Sequence, residues 1–220
     1  LDMVIERAER AGVLAGEALV DVAATLAVVA RVLTHLRVAG RVVPRLLHRA
    51  AGLDPLESVQ QTIARAFESL DVSPGTTPRL ADHASPELAS LRRRAHKAKE
   101  ELERKLDGLL DAGEVAPHLQ DRFYTLRDER YVVPVRIEAR NKVAGIVHGV
   151  SSSGQTVFVE PEAVVELNNK MRLAELSVAE EERRILFELS ELVGENQAAL
   201  TANLAILAEL DRLNAGAKLS

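Results

Sequence analysis

Apolar residues recur at three- and four-residue steps over most of this 220-residue chain, the period of amphipathic helices. Ala8, Ala11, Val13 and Leu14 precede Gly16, and Leu19, Val22, Ala23, Leu26, Val29, Ala30 and Leu33 continue as one helical face. Gly40 with Pro44, then Gly52-Leu53-Asp54-Pro55, interrupt the run. A further helix is predicted over about 55–70, and clustered Pro, Gly and Thr make 71–84 a loop. Ser85-Pro86-Glu87 then supplies a capping residue, proline at the first helical position and acid in the first turn. Behind it Leu88, Leu91, Ala95, Ala98, Leu102, Leu106 and Leu109 form a near-heptad stripe. At about 1.5 Å per residue this helix is a rod of roughly 40 Å. A second long helix is predicted from Glu160-Pro161-Glu162, with Val165, Leu167, Leu173, Leu176, Ala179, Ile185, Leu186, Leu189 and Leu192 as its apolar positions and a loosening at Gly194. The remaining residues are again helical and are expected to return onto the first helices.

The period changes between the two long helices. Residues 122–161 alternate β-branched with polar residues and hold both tyrosines, Tyr124 and Tyr131, with two of the four phenylalanines, Phe123 and Phe158. Val133 and Val135 are predicted core positions, and the aromatics are expected to fill that small core. Two long helices of matching length flanking one insert most simply form an antiparallel pair. The predicted fold is mainly α with a small antiparallel β insertion: a helical core, a long two-helix antiparallel lever and a β-rich clamp at its tip. The boundaries are 1–84 for the core, 85–116 for the first lever helix, 117–160 for the clamp, 161–194 for the second lever helix and 195–220 for the return.

Composition narrows the function. The content, 47% hydrophobic and 28% charged, is that of an ordinary globular protein, and the absence of Cys excludes disulfides, thiol catalysis and Cys-type zinc sites. No stretch of about 18 residues is free of charge, so no membrane span or membrane partner is expected. A reducing cytoplasm is the expected location, and a chain opening on Leu1 is expected to be a piece of something longer. The net charge of −5 excludes a basic nucleic-acid coat. That charge is unevenly spread. Over 122–158 six cations face three acids, leaving this stretch three positive and the rest about eight negative. A basic tip on an acidic chain implies a local polyanion contact through phosphates, carried by Arg122, Arg127, Arg130, Arg136, Arg140 and Lys142. Ser151, Ser152 and Ser153 would add backbone and hydroxyl donors. The same count also fits arginines that merely solvate an exposed hairpin. Arg92, Arg93, Arg94, Lys97 and Lys99 read as a solvated helix face, as do Glu180, Glu181 and Glu182.

Catalytic patterns are absent or broken. Gly149 to Thr156 matches the phosphate-loop pattern except that Gln155 stands in place of the lysine, and Thr156-Val157-Phe158-Val159 alternates like a strand instead of opening a helix. A hydrolase elbow would need glycine where Ser153 sits, and His148 beside the serines reads as a surface residue. The six histidines show no metal-ligand spacing. The stretch is read as noncatalytic, without cofactor or metal.

The wording of the insert is more specific than its chemistry. Arg130–Val135 (RYVVPV), Gly145–His148 (GIVH), Ser151–Gly154 (SSSG) and Phe158–Asn169 (FVEPEAVVELNN) together resemble the second bacterial branch of the MutS family, the recombination-suppressing paralogue of the mismatch-repair enzyme. The flanking helices look similar too, so the resemblance covers nearly the whole chain. Two departures are Asp128-Glu129, where relatives commonly carry Asn-Gly, and Gly149-Val150 in place of Asp-Gln. The resemblance implies core, lever and clamp segments. The family's dimerising ATPase domain, with its ATP and Mg, and its small nuclease-like domain would lie outside these residues. It further implies a nucleoid-associated role: paired levers closing clamps on branched DNA, in a homodimeric parent, with these residues alone monomeric. A second expectation is the grip of a collided-ribosome rescue factor on rRNA, and a third is a coiled-coil-like spacer that binds only protein.

Overall fold

The computed structural model describes residues 4, 5, 8, 12–39, 44–71 and 76–218. From Gly16 onward the described residues run in the order α1 (Gly16–Ala39), α2 (Pro44–Arg49), α3 (Glu57–Ala66), α4 (Pro86–Asp111), β1 (Thr125–Arg127), β2 (Arg130–Arg136), β3 (Gly145–Val150), β4 (Thr156–Pro161), α5 (Glu162–Glu195) and α6 (Gln197–Lys218). The chain is mainly α with a small antiparallel β insertion, as the two periods predict. The predicted break at Gly40 lies outside the described residues, as does Ala11.

Two compact units divide the chain, one made of Leu1–Pro86 with Glu181–Ser220 and the other of Glu87–Glu180. In the helical unit α1 buries Leu19, Val22, Ala23, Leu26, Val29 and Leu33, one face at helical spacing. Its last turns pack with Ala50 and Leu53 and with half-buried Ile206, Leu207 and Leu210 of α6. Polar bonds fix the register of α6 in this packing. Asp54 N–H donates to Asn203 Oδ1 at 2.8 Å, and Asn203 Nδ2 donates back to Asp54 O at 2.6 Å. α1 is long and apolar enough to cross a membrane by length and composition. Its Leu19, Ala23, Leu26 and Val29 are fully buried within the protein. The loop expected over 71–84 is tied at its base, where Phe67 and Leu80 form an antiparallel bridge.

Two expectations about α5 are corrected here. Its buried positions before residue 180 are Val164, Asn168 and Met171, whereas Leu173 and Leu176 are 65% and 48% exposed. The acid run is not a solvated face throughout, because Glu181 turns inward and is buried. Ser85 Oγ donates to it at 2.6 Å, and Arg184 donates through Nε at 2.8 Å and Nη2 at 2.7 Å. The two long helices also differ in length, 26 residues for α4 and 34 for α5.

In the second unit the strands lie in the order β1-β2-β4-β3, every pair antiparallel. Val133, Val135, Val157 and Val159 face one way and join Ala98, Leu102 and Leu106 of α4 with Val164 and Met171 of α5 in a single core. Val133 and Val135 are both fully buried, as predicted. The helices run antiparallel beneath the sheet, and Lys170 of α5 meets Glu101 of α4 at 2.5 Å. That ammonium, by hydrogen bond and charge, holds the Glu101 carboxyl below its usual range. Two glycines of the insert have steric roles. A Cβ on Gly145 would lie 2.1 Å from Glu160 O, so only glycine lets β3 approach β4 there, and Gly154 turns the β3–β4 connection at φ 72°.

Candidate nucleic-acid interface

Strand alternation separates the sheet's two faces. Tyr131, Val133 and Val135 point toward α4 and α5, so Arg130, Val132, Pro134 and Arg136 take the opposite, outward face, on which Val132 and Pro134 are buried and Arg136 is exposed. The β2–β4 register pairs Pro134 with Phe158 and Arg136 with Thr156, which adds those two residues to it. Arg127 reaches the same face from β1, and its guanidinium carbon lies 4.5 Å from the centroid of the Phe158 ring. The aromatics therefore do not all fill the core. Tyr124 and Tyr131 meet edge to face at 5.7 Å and pack against the inner cluster, while Phe158 lies outward and Phe123 is 45% exposed. Burial pushes the Tyr124 hydroxyl above its usual range, with Asp107 and Glu103 adding to the effect.

The nine predicted site residues fall into distinct settings. Arg136 is exposed at the end of β2, with Nη1 donating to Pro117 O at 3.3 Å. Arg140 and Lys142 are exposed on the 3-10 turn Ile137–Lys142. That turn carries the chain back along β4, from Ile137 N–H on Gln155 O at 3.0 Å to Ala144 O, which accepts from Glu162 N–H at 2.9 Å. Ser151, Ser152 and Ser153 form the β3–β4 connection beside the Arg136 end. Ser151 Oγ accepts from Thr156 N–H at 3.2 Å and shares a hydrogen bond with Ser153 Oγ at 3.2 Å, leaving Ser152 and Ser153 exposed. Arg127 stands at the hairpin end. Arg122 lies outside the sheet, 3.7 Å from Asp111 at the end of α4.

Arg130 has a different occupation. Its side chain is 28% exposed, and Nη1 donates to Asn169 Oδ1 at 2.6 Å while lying 3.5 Å from Glu160 Oε1. Glu160 is 1% exposed and central to the local network. It accepts from Asn168 Nδ2 at 2.9 Å and bonds His148 Nε2 at 2.7 Å. His148 is thus a partner of a buried carboxylate, not the surface residue its neighbours in sequence suggested. Asn168 completes the arrangement. Its Oδ1 accepts from Tyr131 N–H at 3.0 Å and its Nδ2 donates to Tyr131 O at 3.1 Å, the pair of bonds a neighbouring strand would make. β4 ends at Pro161, so a side-chain amide continues the ladder where the strand stops. Sequence reasoning missed Glu160, Asn168 and Asn169; the signal for them was a Glu-Pro pair closing the strand and an Asn-Asn pair two turns into the helix that follows.

Chemically, the unit offers cations, hydroxyls and an arginine-on-ring platform. The loop resembling a phosphate cradle closes on itself, with Ser151 N–H on Thr156 O at 2.8 Å and Gly154 N–H on Ser151 O at 2.9 Å, and it leads into a strand. No cluster of His, Asp or Glu able to hold a metal is found among the described residues.

No family model matches the chain. Curated relatives do. It is 40% identical over 216 residues to a protein of Anaeromyxobacter sp. (strain Fw109-5) named endonuclease MutS2, an alignment covering 98% of this chain and 26% of the relative. Proteins of the same name from Geobacillus sp. (strain WCH70) and Symbiobacterium thermophilum are 36% and 37% identical, over 97% and 98% of this chain and 27% and 26% of theirs. The chain therefore spans about a quarter of the length of the curated relatives it matches.

Proposed function

The chain belongs to the MutS2 family, and we propose that its β unit is a noncatalytic clamp that grips the phosphate backbone of nucleic acid. In this reading it serves a protein that engages branched or recombination-intermediate DNA and so restrains homologous recombination. In the same reading, the endonuclease activity named in the relatives lies in the other three-quarters of their length. One observation carries the proposal. Among the described residues, Arg127, Arg136, Arg140 and Lys142 are exposed with no carboxylate within ion-pairing distance. Exposed cations held on a rigid sheet and a short turn, in a chain of net charge −5, favour a localised polyanion contact over general solubility.

The test is binding of the 220-residue chain to a labelled four-way junction and a matched linear duplex across a salt series. Salt-sensitive binding, tighter to the junction, is expected. Arg136→Ala with Arg140→Ala should weaken binding about tenfold and lower the salt slope by about 2, since each phosphate contact contributes about 0.9. The double variant should melt like the wild type, because both side chains are exposed. Unchanged affinity in that variant removes the assignment.

A further inference from the structure

The outward face of the sheet is more than a row of charges. Arg127 lies over the Phe158 ring at 4.5 Å, with the ring half-buried beneath it and the arginine exposed. A guanidinium resting on an aromatic ring keeps its outer plane and its N–H edges available. Arg130, paired with Arg127 across β1 and β2, is engaged by Asn169 and Glu160, which leaves Arg127 as the planar cation of this end of the sheet. Arg136 lies further along the same face, and Pro134 sits between them opposite Phe158. A planar group over a ring, next to a phosphate-binding cation, suits one kind of ligand. Bases inside a duplex have both faces covered by their neighbours, whereas an unpaired base has a free face that stacks on arginine planes and aromatic rings.

We propose that Arg127 and Phe158 form a stacking platform for an unpaired nucleobase, so that the sheet selects single-stranded nucleotides at a gap or branch over continuous duplex. The inference rests on the phosphate-binding reading above: the cations supply affinity, and the platform supplies the choice between paired and unpaired bases. The tyrosines do not compete for this role, since each is packed against the inner cluster.

The 220-residue chain is titrated with two probes of one sequence, a continuous duplex and the same duplex with a short central gap carrying 2-aminopurine. The wild type should prefer the gapped probe by about tenfold, the effect of stacking roughly one base, with a change in 2-aminopurine emission on binding. Arg127→Lys keeps the charge and removes the plane. It should reduce the ratio of gapped to duplex affinity to about twofold. Phe158→Leu keeps apolar volume and removes the ring, and should do the same; thermal melts confirm that both variants fold. Equal wild-type affinity for the two salt-sensitive probes, or a preference that survives both variants, overturns the platform and leaves backbone binding standing. Salt-insensitive or absent binding to both probes removes the backbone reading and the platform with it.

Discussion

Asp128 and Glu129 hold left-handed backbone, at φ 46° and 61°, on the two central positions of the β1–β2 hairpin. A two-residue turn with both central φ values positive matches the twist of the flanking strands, and Asn-Gly is the pair that adopts it most easily. An ordinary side chain in that region costs about 1–2 kcal/mol. Glu129 offsets part of this by pairing with Arg172 of α5 at 2.5 Å, a contact of two partly exposed groups worth under about 1 kcal/mol. Asp128 has no such compensation, so Asp128→Gly should raise stability by about 0.5–1 kcal/mol in chemical denaturation. A loss instead would mean that the aspartate makes an interaction stronger than the relief of its backbone. The resemblance marked this place as one where relatives commonly carry Asn-Gly, but the strain was not legible, because the dihedral angles are set by the strand register on either side and not by the Asp-Glu pair itself.

Among the elements, the sheet and α5 are joined by a side chain that bonds as a strand would. Asn168 is fully buried, bonds both backbone groups of Tyr131 and donates to Glu160. Asn168→Ala would leave buried donors and acceptors without partners, each costing about 1–3 kcal/mol. The expected loss is about 2–4 kcal/mol, with faster amide exchange concentrated at Tyr131; uniform acceleration across the sheet would show that Asn168 acts only through global stability. The same residue explains why one long helix was read well and the other poorly. The buried stripe of α4 is Leu88, Leu91, Ala98, Leu102 and Leu106, so counting apolar residues finds the face. α5 buries Ile185 and Leu189, which the same count includes, but it also buries Asn168 and Glu181 and exposes Leu173 and Leu176, so over its middle turns the count points to the wrong side. Polar residues buried for their hydrogen bonds carry no periodic signal until the partners, Tyr131 and Ser85, are placed in space. At the interface the legible part was charge: the arginines were visible as a cluster, whereas the commitment of Arg130 to Glu160 and Asn169, and of Arg127 to Phe158, depends on strand pairing between residues about thirty apart.

Across the whole molecule, the chain leaves its helical unit at Pro86 and re-enters it at Glu181, and Ser85, Glu181 and Arg184 tie these two crossings together. That tie joins the separated segments of a discontinuous unit alongside the Asp54–Asn203 bonds. The Arg184 hydrogen bonds, with a further bond from Ser85, bring the Glu181 carboxyl from its ordinary 4.5 down to about 2 against the opposing effect of burial. Arg184 is shifted upward by the same contact. A carboxyl whose folded pKa is depressed binds fewer protons when folded than when unfolded, so its contribution is complete above about 4.5 and disappears as pH falls through that value toward 2. With Glu181 9% exposed but Arg184 49% exposed, solvent screening reduces the contribution to about 1–2 kcal/mol. Glu181→Gln should therefore be less stable than the wild type by that amount at pH 7. The gap should stay constant down to about pH 5 and then close toward pH 2–3. Denaturant unfolding of both proteins over that range reads the difference directly, since the other carboxylates titrate alike in each. A gap that persists unchanged into acid would mean that the glutamate acts through shape and neutral hydrogen bonds, and that the charge of Arg184 does not hold the crossing closed.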